Sequence, residues 1–458
     1  MKQFGKMLEL TCPDNMLPYL KRIRFDIAFL LSLLFSVVTA FLCTNKDGGI
    51  DAYMSIALPY FAIYLFVFIL SQAVGSSITF TCSSVYFISL GVSLQLILNP
   101  TTANASNLCL YTFLGLLLGI VLTVAMYYLL KVKRKKLYIF FTVTTILLYV
   151  SLFILGVSEG GTRAWISLFG FEFQMTEITK VFAVIQITLL TSDEFLSDKK
   201  RVIYPALIVL LHSFFFVSIS ELGTLLVIGF TYILTSFIFL NKESVKFFTI
   251  TIVVFLCITA LITLTCYLCY KSNAQSSIFA TLGSIFQKVK HRVMLITDPS
   301  TLDYDSTYQL NQIKNCLSVA KWFGSEVNIY VPVIESDLVV LHLISTFGLF
   351  SFIATVIVQM VLFHSGITRL TKNCNSLSAV AISFISMQSI NALISTASAL
   401  AIIPLVGLGY PFLSKGGTGL SVNTAMIIFS IFSMMQFAPS KAIAQTKGGK
   451  LCRKSASM

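Results

Sequence analysis

Three acids, Asp298, Asp303 and Asp305, stand close together just after a basic cluster of Lys288, Lys290, His291 and Arg292. Carboxylates at this spacing can take a proton from a hydroxyl or meet a hard cation, and neighbouring cations can hold phosphate oxygens. The group sits in residues 271–337, the longest polar segment of a chain that otherwise alternates apolar runs with short connections. Chemistry on a charged headgroup at a membrane surface is what this pattern predicts; acids that merely solvate a turn are the plain alternative. The four histidines, His212, His291, His342 and His364, are far apart and make no zinc-like spacing. Cys266 and Cys269 form a C-x-x-C at the end of an apolar run, where small buried side chains are the simpler reading.

The elements that must position these residues are helices in lipid. Of the 458 residues, 56% are hydrophobic and 11% charged, with a mean hydropathy of +0.87. A soluble domain carries roughly 25% charged residues, and a bilayer core needs about 20 apolar residues per helix. Twelve apolar runs qualify, near 25–44, 53–71, 75–98, 110–130, 137–156, 174–192, 202–219, 222–240, 246–270, 338–363, 376–403 and 418–437. The predicted class is an all-α polytopic membrane protein.

The net charge of +13 finds its explanation in orientation. Lys131, Lys133, Arg134, Lys135 and Lys136 follow the fourth run; Lys199, Lys200 and Arg201 follow the sixth. Lys242 and Lys246 follow the eighth, Arg369 and Lys372 the tenth, and Lys441, Lys447, Lys450, Arg453 and Lys454 the last. The positive-inside rule puts both termini in the cytoplasm and the 271–337 loop outside. No basic and aromatic platform stands in a soluble stretch, so nucleic acid is not an expected partner. Within the loop, Ile278, Leu282, Ile285, Phe286, Val289 and Val293 recur at helical spacing, as for a helix on the outer membrane surface.

Four outer stretches concentrate glycine, proline and polar residues where lipid exposure is costly. The first is Gly160-Gly161-Thr162-Arg163-Ala164-Trp165-Ile166, continuing to Phe173-Gln174-Met175-Thr176-Glu177 and Lys180; the second is Glu221-Leu222-Gly223-Thr224. The third holds Asp298-Pro299, Tyr308-Gln309, Gln312, Pro332 and Asp337. The fourth runs from Pro404 through Pro411-Phe412-Leu413-Ser414-Lys415-Gly416-Gly417-Thr418. Together they resemble the SEDS family (shape, elongation, division and sporulation; FtsW, RodA and SpoVE), whose patterns G-A-x-R-W-I, F-Q-P-S-E-x-x-K, P-D-L-G-T, D-P-x-x-D and P-F-x-S-Y-G-G occur in this order. The chain departs from them at Ala164 beside Trp165, Met175 and Thr176 after Gln174, Glu221, Val333, Leu302, and Ser345 and Thr346 before Phe347-Gly348.

The resemblance implies a ten-span core with two further spans near the N-terminus. Residues 1–100 then hold a cytoplasmic tail and the extra helices, 101–440 the core with its 271–337 loop, and 441–458 a basic cytoplasmic tail. It also implies a peptidoglycan glycosyltransferase in the bacterial cytoplasmic membrane, polymerising lipid II and working with a class B penicillin-binding protein, a transpeptidase. Asp303 is the implied base or metal-linked acid, one place from the family position, with Asp298 and Asp305 in reserve. Arg163, Trp165, Gln174, Glu177, Lys180, Lys288, Arg292, Tyr308, Gln309, Ser414, Gly416 and Gly417 are the implied substrate-binding residues. A loosely held Mg²⁺ or Mn²⁺ is the expected cofactor, alongside contacts to membrane lipids. A non-catalytic partner of a transpeptidase and a flippase of lipid-linked precursor are the competing functions. Lys180 and Glu177 read equally well as a structural pair, and Asp337 as a helix cap.

Overall fold

The computed structural model describes residues 50–435, apart from 160–161, 169–170, 220, 272–282, 284–285, 288–289, 296, 303, 326, 328 and 374. The first predicted span and the basic tail lie outside the described residues. The remaining predicted spans each coincide with a helix. These are α1 (Ile50–Val74), α2 (Ile78–Leu98), α3 (Thr102–Leu129), α4 (Arg134–Leu155), α5 (Met175–Thr191), α6 (Asp198–Ser218), α7 (Leu222–Phe239) and α8 (Lys242–Lys271). After α9 (Tyr304–Ser318) in the long loop come α10 (Val339–Leu370), α11 (Ser376–Ala399) and α12 (Gly417–Ser433). Seven of them are long and apolar enough to cross a membrane.

Helices α2 and α11 are buried along most of their length, with Phe80, Phe87, Leu94, Phe384 and Ile385 at the centre of the packing. Some of their hydroxyls bond within the helix. Ser84 donates to the Phe80 carbonyl at 2.8 Å and Ser383 to that of Ala379 at 3.1 Å, so these two hydroxyls return to their own helices. The tightest seam joins α3 and α12. A side chain at Gly115 would stand 2.6 Å from the Ser421 carbonyl oxygen, and one at Gly119 would stand 2.8 Å from that of Ala425. Small residues let these two backbones approach, as expected of helices that associate without a hydrophobic driving force.

One end of the bundle is cationic and locked. Arg201 donates to the terminal carbonyls of α5 and α7, at Thr191 (2.9 Å) and Phe239 (2.8 Å), and Arg134 pairs with Asp193. Asp198 accepts from Ser244 and Asn241, and Arg369 donates to Gly75 at 2.8 Å. These are the connections whose lysines and arginines assign the cytoplasmic face.

Two features depart from the helical reading. The connection from α4 to α5 forms an antiparallel sheet of β1 (Gly156–Glu159), β2 (Thr162–Leu168) and β3 (Phe171–Gln174), with Trp165 opposite Val157 and Gln174. Its cause is legible: Ala164 and Ile166 are buried while Arg163 and Ser167 are exposed, a period of two that a search for long apolar runs passes over. The second is a break in α10 at Gly348, with φ 86° and ψ 174°, a conformation that suits glycine. The backbone freed there is satisfied by residues 321–325. Leu349 N–H donates to the Lys321 carbonyl at 3.0 Å, and Ser325 N–H to that of Ser345 at 2.8 Å.

The seam makes a paired prediction. Gly115→Ala pushes a methyl into backbone and is expected to cost roughly 1–3 kcal/mol. Gly229→Ala in α7, with nothing within 4 Å, is expected to be neutral or stabilising by up to about 1 kcal/mol. Thermal unfolding in detergent checks both.

Candidate active site

At the end opposite the cationic face, the first, second and fourth motif stretches meet the 332–337 end of the third. The backbone N–H of Gln174 donates to Thr418 Oγ1 at 3.1 Å, joining the end of β3 to the start of α12. Gly223 lies against Val406 and Leu408, and Gly407 faces the Asp337 carboxylate. Ser414 donates to the Ser336 carbonyl at 2.6 Å, and Lys415 pairs with Glu335 at 2.8 Å. Gln95, near the outer end of α2, donates to the carbonyls of both Glu335 (3.0 Å) and Leu413 (2.6 Å). It staples the 331–338 turn to the 404–416 segment. That segment reaches inward, with Phe412 lying directly on Gly91.

Beneath this rim lies a cluster of four charged side chains. Lys180, only 2% exposed, donates to Glu177 Oε1 at 2.7 Å, one turn earlier on α5. Glu221 caps the chain between α6 and α7 and accepts from Thr224 at 3.3 Å. Burial, then the nearby Glu177 carboxylate, push Glu221 up to about 7; the Thr224 hydrogen bond and Lys180 pull it down more weakly, and Asp337 adds a small push upward. Asp337, in the turn before α10, is also raised by burial. Glu177 pairs with Lys180, Glu221 interacts with both, and Asp337 adds a third carboxyl beside Glu221.

Asp337 does not cap α10: the N-cap is Leu338, with no side-chain cap bond. The carboxyl is turned toward Gly407 and Glu221 instead, so a residue read as a helix cap belongs to the cluster. Glu177 and Lys180 form the expected pair and stand in this same group. Trp165 and Gln174 lie on the sheet beside it, and Arg163 is exposed, with its Nε donating to the Gly156 carbonyl at 3.1 Å. Ser414, Gly416 and Gly417 lie on the rim, Gly416 with φ 152° and Gly417 pressed against the Tyr111 ring.

The loop residues are placed less closely. Asp298 is exposed, just before the short 3-10 turn Pro299–Thr301; Asp305, Tyr308 and Gln309 are on α9. Asp303 and Lys288 lie outside the described residues. Arg292 is exposed, and Lys290 lies over the Tyr270 ring at 5.3 Å. Phe286, from the amphipathic pattern, packs on Tyr267 and Tyr270 at the end of α8. Gln95 and the Glu335–Lys415 pair escaped sequence reasoning. A glutamine inside an apolar run was the available signal for the first.

Fold and site define a polytopic membrane protein with a buried cluster of charged side chains at its outer end. Residues 75–436 match the family model described as cell cycle protein, FtsW/RodA/SpoVE, and the chain belongs to that family. It is 27% identical over 333 residues to a putative peptidoglycan glycosyltransferase FtsW of Cyanophora paradoxa, covering 70% of this chain and 77% of the relative. It is 24% identical to a probable peptidoglycan glycosyltransferase FtsW of Legionella pneumophila, over 60% of this chain and 67% of that one. The fold is similar to a chain from a solved peptidoglycan synthase complex that coordinates polymerization and crosslinking. The TM-score is 0.59 at 18% identity, covering 78% of this chain and 98% of that chain.

The raised Glu221 value gives a pH prediction. Between its ordinary 4.5 and about 7, the folded protein keeps a proton that the unfolded chain has released. This contribution to stability is therefore present at low pH and lost as pH rises through that window. Glu221→Gln is expected to flatten the fall in melting temperature between pH 5 and 8. An unaltered slope in the variant contradicts the assignment.

Proposed function

We propose that this protein polymerises glycan strands from lipid II on the outer face of the bacterial cytoplasmic membrane. The observation that carries the reading is the convergence of the first, second and fourth outer motif stretches, with the 332–337 end of the third, on one buried charge cluster, in a chain whose relatives are named as peptidoglycan glycosyltransferases. In this reaction an acceptor sugar hydroxyl attacks the anomeric carbon of a donor, and the lipid diphosphate leaves. The hydroxyl proton must go to a base, worth typically 10²–10⁴-fold, and the leaving diphosphate needs cations.

Asp303 is assigned the base, with Asp298 and Asp305 as neighbouring acids on the same loop. Lys180 is too buried to meet the diphosphate directly. Its part is to hold Glu177 and the α5 terminus in place. Arg163, on the exposed face of the sheet, and Arg292 are assigned to the diphosphate; Arg suits a bidentate phosphate contact. Among the described residues no group of three His, Cys, Asp or Glu could hold a metal. A divalent cation is proposed to enter with substrate, through one or two carboxylates and the phosphates. A class B penicillin-binding protein is the proposed partner, on the model of the similar synthase complex.

The test is polymerisation of labelled lipid II by purified protein, alone and with its transpeptidase. Polymer is expected, lost in Asp303→Ala and reduced in EDTA. Absence of polymer under both conditions contradicts the reading. Full activity in an Asp298, Asp303, Asp305 triple alanine variant removes the loop acids from catalysis.

A further inference from the structure

The turn from α3 to α4 gathers the densest run of cations in the sequence. Lys131, Lys133, Arg134, Lys135 and Lys136 put five cations in six positions, all of them exposed, and no acid occurs between Asp51 and Glu159. Asp193, the carboxylate packed against this turn, is already engaged. It pairs with Arg134 and accepts from the Tyr138 hydroxyl at 2.6 Å and the Phe195 N–H at 3.0 Å. Arg134 also lies over the Phe195 ring at 4.1 Å, and Lys131 over the Tyr127 ring at 3.9 Å. Lys133, Lys135 and Lys136 have no acid partner among the described residues.

Two structural explanations fall short. Helix α4 gains nothing from these charges: its first turn has no acid and its N-cap, Lys133, makes no side-chain cap bond. Arg134, Lys135 and Lys136 therefore stand at the positive end of the helix dipole, where cations are unfavourable. Membrane orientation needs only an excess of Lys and Arg on one side. The neighbouring connections meet that need with charges of both signs. There Lys199, Lys200, Lys242 and Lys246 stand among Glu194, Asp198 and Glu243, and Lys246 pairs with Glu243 at 3.3 Å. The surroundings of the 131–136 turn select the class of anion. Helices α3 and α4 turn most of their surface outward. Exposed apolar and aromatic side chains begin within two turns of the cations, Val124, Tyr127 and Tyr128 before them, Ile139 and Phe140 after. Such faces stand in hydrocarbon, so the cations lie where two lipid-facing helices leave it, with tyrosines at the boundary. A soluble phosphate has no use for the apolar flanks, whereas a phospholipid uses both flanks and charge.

We propose that the α3–α4 turn binds an anionic phospholipid of the cytoplasmic leaflet, with Lys133, Lys135 and Lys136 on its phosphodiester and its acyl chains along the exposed faces of α3 and α4. The lysine stems can lie along apolar surface while their ammonium groups stay at the headgroup plane. The inference needs nothing from the glycosyltransferase reading, because the turn lies at the opposite end of the bundle from the charge cluster.

The test uses the full-length protein in phosphatidylcholine nanodiscs with rising fractions of phosphatidylglycerol that carries a photoreactive group near its glycerol. Saturable crosslinks are expected in peptides spanning 124–140. In the combined Lys133→Gln, Lys135→Gln, Lys136→Gln variant each lost cation should weaken binding about fivefold, roughly a hundredfold together. Arginine at the same three positions should bind as the unaltered protein does. If the neutralised variant does not fold, Lys135→Gln alone is measured, with the fivefold loss expected of one cation. The combined Lys199→Gln, Lys200→Gln, Lys246→Gln variant removes the same charge from the neighbouring connections and should leave the crosslink unchanged. Equal loss in both neutralised variants overturns the proposal and leaves only a diffuse positive field. Crosslinks that never saturate, or that map away from 124–140, overturn it as well. So does full competition by glycerol phosphate, which would assign the cations to a soluble phosphate, or by polyglutamate, which would mark a docking surface for an acidic protein.

Discussion

An ammonium buried in the first turns of a membrane helix constrains everything around it. Lys180 cannot stay charged in hydrocarbon without compensation, and Glu177 provides it at 2.7 Å. That pair must itself be kept from lipid, which calls for polar structure above it. The sheet before α5, the Glu221 connection and the turn carrying Asp337 supply that structure, while the inward-reaching 404–416 segment closes over Asp337. Each of these stretches has irregular backbone of a kind tolerated at membrane depth only when buried in protein or lining a cavity. The architecture of the outer end follows from covering one charged pair while leaving a route to substrate.

The departures from the family pattern are accommodated locally. Lys415 stands where the pattern has tyrosine, and it pairs with Glu335 across the rim. Ser345 and Thr346 replace two acids before Gly348. Ser345 donates to the His342 carbonyl at 3.0 Å, and Thr346 shares a hydrogen bond with His342 Nδ1 at 3.2 Å. Substitutions absorbed in this way keep the α10 break and its 321–325 stitch intact.

Most of the fold was legible because lipid imposes a simple rule: a helix long enough to cross, with cations on the cytoplasmic side. What escaped has specific causes. The sheet is short and its period of two is hidden between two long apolar runs. Asp337 has the position of a cap, and only tertiary packing against Gly407 moves it into the cluster. Gln95 makes two long-range bonds that no local pattern encodes. The Glu177–Lys180 pair was readable because its spacing lies on one helix face; its convergence with Glu221 and Asp337 required the chain's long-range folding.

The central claim is that this cluster shapes the reaction site as well as the fold. A double-mutant cycle with Glu177→Gln and Lys180→Met, followed by both melting temperature and lipid II polymerisation, separates the two roles. Each single change leaves an uncompensated buried charge and is expected to cost about 3–5 kcal/mol, while the double variant should regain most of that stability and remain inactive. Polymerisation restored along with stability in the double variant would contradict the account and leave the pair as packing alone.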